Sequence, residues 1–331
     1  MTDSRILLRL GAALFAVVAG AGGIVVAVLL LRSEPGPVGS TAPAVAAAPS
    51  PAAPASLAGG RIPTPVDPGY PSPPEGAVVL AREAGSRALA FGIVRGKARS
   101  LVRVSVLSPA GPGAAGLAVS VRFDGGERRG LAACGKGCYQ ATFPAAAAHG
   151  SPTVEIDGTA YAFAVPPADP PDGTAIVKDA AVVWKHLSTV VWHERLAASP
   201  TDALHTVYRA VAPDELSYDI EGSSSSVIIG HNRWDRSSPT APWMRSRQDP
   251  ALVQPLPAWV AEADVHVLGS GTVAGQRVWD ISFFDPETPA WFELKIAKAS
   301  HRTLELSMIA AAHFMHHVYG PFDSPFHLHP P

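Results

Sequence analysis

The chain has 331 residues, enough for two ordinary domains, and its 47% apolar and 16% charged content supplies cores and excludes disorder throughout. A formal charge of −2, with 26 basic residues scattered along the sequence, gives no electrostatic footprint for a nucleic acid.

Leu10 to Leu31 carries no charge, and at ~1.5 Å per residue it spans about 33 Å, the thickness of a bilayer's hydrocarbon core. The expectation is a transmembrane helix. Arg32, Ser33, Glu34 and Pro35 follow where a signal peptide would place a small-residue cleavage site, which favours an uncleaved anchor. Arg5 and Arg9 precede the span and outweigh Asp3. Residues 1–32 therefore read as a cytoplasmic stub and anchor of a single-pass cell-membrane protein, with the bulk of the chain extracytoplasmic. Residues 33–76 are dominated by Pro, Ala, Gly and Ser and read as a semi-rigid linker, partly polyproline II, reaching roughly 100 Å when extended.

Residues 77–168 contain short alternating segments (SRALAFGIVR, SLVRVSVLSP, GLAVSVRF, CYQATFP, TVEIDG, AYAFAVP) separated by Gly and Pro turns. That spacing predicts a small immunoglobulin-like β-sandwich. The two cysteines of the chain, Cys134 and Cys138, sit together as CGKGC. Outside the cytoplasm such a pair reads as a disulfide, and a thiolate site for Cu(I) is the alternative chemistry.

Residues 169–331 open with a helix start at Asp169-Pro170-Pro171-Asp172, after which Ile176, Ala180, Val183, Leu187, Val190 and Val191 recur at helical spacing up to Pro200. Strands follow: LHTVYRAVA, ELSYDIEG, SVIIG, DVHVLGSGTV, RVWDISFFD, AWFELKIA and the long TLELSMIAAAHFMHHVY. Read as one strand, the last places Leu304, Leu306, Met308, Ala310, Ala312, Phe314 and Val318 on one face. Glu305, Ser307, His313, Met315, His317 and Tyr319 then lie on the other. Exposing Leu304, Leu306, Met308 and Phe314 would cost about 6–12 kcal/mol, so that face needs a cover. Seven strands make a sheet roughly 34 Å wide against about 10–12 Å for one helix. A second cover fits the Pro-broken segment Pro239 to Ala263, which carries Trp243 and Trp259. Leu304, Leu306, Met308, Phe314, Trp243 and Trp259 are thus the candidate ligand-binding residues, lining either an apolar cavity or a solid core.

His313, Met315 and His317 share a strand face, His316 lies opposite, and His327 and His329 form a second pair in the tail. Imidazole and thioether suit copper, and a solvent-facing polar strand side explains the same pattern without it. GSGTVAG at Gly269 to Gly275 reads as a hairpin turn, not a phosphate loop. Ser223 to Ser226 lack a nucleophile elbow, and the strand-end Asp235, Asp280 and Asp285 have no spacing that brings them together. Nothing in the pattern reads as an enzyme.

The order of helix, "APDELSYDI", "VIIGHNRWD" and terminal "AAAHFMHHVYGPFDSP" resembles the extracytoplasmic lipoprotein-carrier fold of the LolA and LprG type. It also resembles the carboxyl-terminal region of actinobacterial copper-resistance membrane proteins (CopC/CopD type, YtkA-like), where a "CGPGCY"-like motif stands beside the sandwich; here it is CGKGCY. The resemblance implies a mainly β protein in which a β-sandwich is followed by an antiparallel half-barrel with a helical cover. It also implies a hydrophobic ligand, a lipid or a lipoprotein acyl chain. The alternative it implies is a copper-binding accessory protein whose partner is a copper-transport membrane protein.

Overall fold

The structure, a computed structural model, describes residues 69–331. The expected membrane span, Leu10 to Leu31, and most of the linker lie outside the described residues; among the described residues no helix is long and apolar enough to cross a membrane. The end of the expected linker is packed, because it carries an aromatic side chain. Tyr70 is buried, stacks on Trp291 with ring centroids 5.6 Å apart and donates its hydroxyl proton to the Pro289 carbonyl at 2.7 Å.

Two sheets come first along the chain. One is formed by β1 (Val78–Ala84), β2 (Arg87–Val94), β3 (Arg99–Leu107), β6 (Ala132–Gly135) and β7 (Cys138–Pro144), in the order β1-β2-β3-β7-β6. The other joins β4 (Val119–Phe123), β5 (Arg129–Gly130), β8 (Pro152–Ile156) and β9 (Thr159–Ala162) as β9-β8-β4-β5. Alternating Leu89, Phe91, Ile93, Val102, Val104 and Val106 meet Val121, Phe123, Val154 and Ile156 in one core, as sandwich periodicity requires. Cys134 and Cys138 are disulfide-bonded with Cα atoms 5.1 Å apart. Gly137 makes the closure at φ +68, and a Cβ there would lie 2.3 Å from Gly113 Cα.

The helix α1 (Thr174–His186) starts where Asp172 Oδ1 accepts the Thr174 backbone N–H and hydroxyl at 2.9 and 2.6 Å. Val177, Ala180 and Trp184, spaced on one helical face, are buried against the sheet that follows. The helix ends before Leu187, well short of the expected Pro200. Thr189-Val190-Val191 is a β-branched run, and Val190, Trp192, Glu194 and Leu196 then alternate as a strand paired on both sides.

That strand, β10 (Thr189–Ser199), is the centre of an eleven-stranded antiparallel sheet. With it run β11 (Asp202–Val211), β12 (Glu215–Ile220), β13 (Ser225–Ile229), β14 (Asn232–Arg236) and β15 (Met244–Arg247). The rest are β16 (Ala263–Val273), β17 (Gln276–Asp285), β18 (Ala290–Ala297), β19 (Thr303–Ala310) and β20 (His313–Phe322). The order is β15-β14-β13-β12-β11-β10-β20-β19-β18-β17-β16. The expected hairpin turn after β16 falls at Ala274-Gly275, both at positive φ (46 and 78), as a two-residue turn of this kind needs.

The two modules share an apolar contact. Ala197, Phe284, Trp291, Ile309 and Phe314 on the outer face of β10 and β17–β20 pack against Tyr70, Ala77, Val79, Ala88, Ala90 and Leu107. Arg195 adds an ion pair to Glu83 at 2.8 Å. Asp67–Pro331 accordingly forms one compact unit that contains its own cores.

Candidate functional site

The predicted terminal strand is two strands. The chain turns at Ala311-Ala312, with Ala312 at φ 51, so that Ala310 pairs with His313 and Met308 with Met315. Residues directly opposite across an antiparallel ladder share a face. Odd-numbered residues of β20 therefore join even-numbered residues of β19, and the expected grouping is corrected in three ways. Phe314 lies on the outer face, fully buried against the sandwich. Leu304 belongs to a separate small cluster with Val278 and Ala297, beyond a register shift in β18–β19. His313, Met315 and His317 turn inward with Leu306 and Met308, not away from them.

The inner face is built in cross-strand rows. His317 stands between Leu306 and Glu194, Met315 between Met308 and Leu196, and Tyr319 opposite Trp192. Further out, Trp192 faces Tyr208 and Tyr208 faces Tyr218, while Leu196 faces Leu204. Toward the other edge the rows continue through Leu294 and Phe292 to Ile281 and Phe283, all fully or almost fully buried. Helix α1 covers this apolar part, with Trp184 edge-on to Tyr319 at 5.0 Å and its indole N–H donated to Thr303 Oγ1 at 3.3 Å.

The Pro-broken cover is present in part. Leu252, Ala258 and Trp259 pack on the inner core, Trp259 edge-on to Phe283 at 6.3 Å. Buried Asp285 pins this strap: one carboxylate oxygen accepts the Val260 and Ala261 N–H groups at 2.9 and 3.3 Å, the other those of Glu287 and Thr288 at 2.8 and 3.2 Å. Trp243 is not in the cover; it lies half-buried under the Arg236 guanidinium, 4.8 Å from the ring centroid. The segment around it became the edge strand β15 because Met244 to Arg247 pair with β14.

A polar chain crosses the middle of the inner face. Glu194 and His317 are both over nine-tenths buried, and His317 Nε2 lies 2.7 Å from Glu194 Oε2. The carboxylate can only accept, so Nε2 carries the proton toward it. In the neutral ring Nδ1 then accepts from the Tyr319 hydroxyl at 2.6 Å. Tyr208 donates to Glu194 Oε1 at 3.2 Å and stacks on Trp192 with ring centroids 4.7 Å apart. Burial, with the Glu194 charge adding to it, holds the Tyr208 and Tyr319 hydroxyls well above the ordinary tyrosine range, so both stay protonated donors. His313, at the open end of the same face, has its pKa lowered chiefly by burial; Glu194 opposes that and His317 adds to it. Further along, Arg233 Nε donates to both Asp235 oxygens at 3.0 and 2.8 Å, and its Nη2 to Tyr218 at 3.1 Å.

This arrangement does not gather a metal site. Alternate residues on one strand are spaced so that His313 and His317 are about 13 Å apart along it, too far to share an ion bound at about 2 Å. Both nitrogens of His317 are already occupied. Among the described residues no cluster of three His, Cys, Asp or Glu is placed to hold a metal. The thiolate alternative is likewise closed at Cys134 and Cys138 by their bond. His327 and His329 are exposed in the tail. A solvent-open cavity of about 640 Å³ lies on the sandwich, between Phe123, Arg128, Arg129, Phe143 and His149, away from the expected face.

Glu194, Trp192, Tyr208 and Tyr319 belong to the inner face without being among the expected ligand-binding residues. The available signal was Glu194 standing on the apolar parity of Val190, Trp192 and Leu196.

No protein-family profile matches the chain, and no curated protein does. Among solved structures, the chain is similar to LprF from Mycobacterium bovis, at 9% identity over 50% of this chain and 99% of that one, with a TM-score of 0.37. A DUF1329 family protein from Desulfovibrio piger aligns at 9% identity over 49% and 96% of the two chains, with a TM-score of 0.27. A putative outer membrane lipoprotein-sorting protein domain from Vibrio parahaemolyticus aligns at 9% over 45% and 90%, with a TM-score of 0.22.

Proposed function

We propose that Asp67–Pro331 is an extracytoplasmic binding module for a chain-like apolar ligand, a lipid or a lipoprotein acyl chain, seated on the inner face of the eleven-stranded sheet. The observation that carries this reading is the mismatch between sheet and cover. Eleven strands at ~4.8 Å make a surface about 50 Å wide, whereas one helix shields about 10–12 Å of it. Beyond the helix and strap, Leu196, Leu204, Tyr208, Met308 and Ala310 remain only half-buried beside side chains that are fully buried. A row of that kind offers an acyl chain apolar contact on one side and hydroxyl or imidazole groups on the other. A display outside the cytoplasm is supported by the disulfide, since such bonds persist in oxidising compartments. The reading is one of binding, in which both nitrogens of the buried His317 are engaged by Tyr319 and Glu194.

Native mass spectrometry of Asp67–Pro331 released gently from membranes tests this. The expected result is a population carrying one retained lipid that organic extraction removes. A unit that is lipid-free as isolated and takes up no added acyl chain refutes it.

A further inference from the structure

The far end of the large sheet, β13 to β15, has chemistry unlike the rest of the chain. Between Gly230 and Pro250 there are four arginines, Arg233, Arg236, Arg245 and Arg247, against two aspartates, Asp235 and Asp249, while the chain as a whole has a charge of −2. The aspartates are taken: Asp235 by Arg233 at 2.8 Å, and Asp249 by Arg247 and His231 at 3.6 and 3.5 Å. Arg236 and Arg245 find their partners elsewhere. Arg236 donates to the neutral Ser225 Oγ at 3.0 Å and to the Pro239 carbonyl at 3.3 Å, with Asp219 as its nearest carboxylate at 3.9 Å, and Arg245 donates to the neutral Asn232 Oδ1 at 2.5 Å.

Each of these two guanidinium groups lies over an indole. Arg236 is 4.8 Å from the Trp243 ring centroid and Arg245 5.8 Å from that of Trp234. Trp234 pairs directly with Arg245, which puts both on the outer face, opposite Arg233 and Asp235. The sandwich packs on β10 and β17–β20, so it does not reach this corner. All four residues of β15 are exposed, Met244 at 66%.

We propose that this corner docks on an anionic lipid surface through Arg236, Arg245, Trp234 and Trp243. Guanidinium groups bind phosphate bidentately, and indoles settle at the headgroup level, so a stacked Arg–Trp pair matches that depth in both parts. A protein strand adding to the free edge is opposed by the two arginines that β15 itself carries. The docking face is on the opposite side of the sheet from Leu306 and Met308, so it stands independently of the ligand proposed above.

The test is sedimentation of Asp67–Pro331 with phosphatidylcholine vesicles with or without phosphatidylglycerol. Partition is expected only with phosphatidylglycerol, with release as salt is raised. An arginine near such a surface changes affinity roughly fivefold, so Arg236→Gln with Arg245→Gln should weaken partition about thirtyfold. Brominated acyl chains should quench tryptophan emission, and Trp243→Phe with Trp234→Phe should remove that quenching while the melting temperature holds. Absence of partition to phosphatidylglycerol vesicles at low salt, as expected of a face built for an acidic protein, overturns the proposal. So does an arginine double variant that partitions like the wild type.

Discussion

Removing His317 and removing Glu194 should have unequal costs, and removing both should cost no more than the worse of the two. In His317→Leu the Glu194 carboxylate, over nine-tenths buried, keeps only the Tyr208 hydroxyl at 3.2 Å, and Tyr319 loses its acceptor. Stranding a buried carboxylate without its partner costs about 3–5 kcal/mol. In Glu194→Leu no charge is left behind. His317 keeps its contact with the Tyr319 hydroxyl at 2.6 Å, and the orphaned neutral donors cost about 1–3 kcal/mol each where they stay dry. The double Leu variant strands no charge and leaves the two tyrosine hydroxyls, so its cost should not exceed that of His317→Leu alone. Urea titration of Asp67–Pro331 and the three variants, followed by intrinsic fluorescence, measures this as a double-mutant cycle. Additive costs, with the double variant as unstable as the two single losses combined, would show that the 2.7 Å contact between His317 and Glu194 couples nothing. A double variant that keeps its stability and loses retained lipid would indicate that the polar chain is kept for the ligand.

Four further outcomes follow from the structure. Leu306 is fully buried between Leu294 and His317, so Leu306→Ala should cost about 2–5 kcal/mol. Met308, two residues on and half-buried, lies on the open row, so Met308→Trp should displace lipid in native mass spectrometry with little change in melting temperature; a loss of about 1–3 kcal/mol with lipid retention unchanged would mark an overpacked solid core instead. The His313 and His316 pKa values are lowered, chiefly by burial, so below their ordinary value of about 6.5 the unfolded chain binds more protons than the folded one. Stability should then fall as pH drops from about 6.5, and His313→Gln should flatten that slope in melts taken across the range. Both cysteine thiols should be blocked to alkylation until reduction, and Cys134→Ser should cost about 2 kcal/mol, the small value expected of so short a loop.

Much of the fold was legible because period-2 alternation survives in β2, β3, β12 and β16 to β19, where one side of each strand meets a core. Two local signals misled. Leu187, Val190 and Val191 fit a helical stripe, but the same residues fit a strand, and a central place in the sheet decided between them by giving Val190 and Trp192 neighbours on two sides. The edge strands β14 and β15 had no apolar parity to reveal them. Their pairing is held by Arg, Asp and Trp contacts, as in Arg245 over Trp234.

The site was harder to read because its faces depend on one turn. Ala311-Ala312 carries none of the Gly, Asn, Asp or Pro signals that mark a hairpin, and a run of alanines between two strands reads as continuation. A two-residue turn exchanges parity, so missing it moved His313, Met315 and His317 to the wrong side of the sheet and Phe314 with them. The chemistry follows the geometry. Solvent-facing histidines spaced along a strand invite a metal, whereas the same residues turned inward among Leu306, Met308 and Trp192 must find partners in the core. His317 does so in Glu194, contributed by a strand 123 positions earlier in the chain. A carboxylate on the apolar parity of one strand and a histidine on the apolar parity of another are individually costly to bury and satisfy each other by a hydrogen bond. When a sequence places such groups on two central strands, the economical expectation is that they meet, as His317 Nε2 and Glu194 Oε2 do at 2.7 Å.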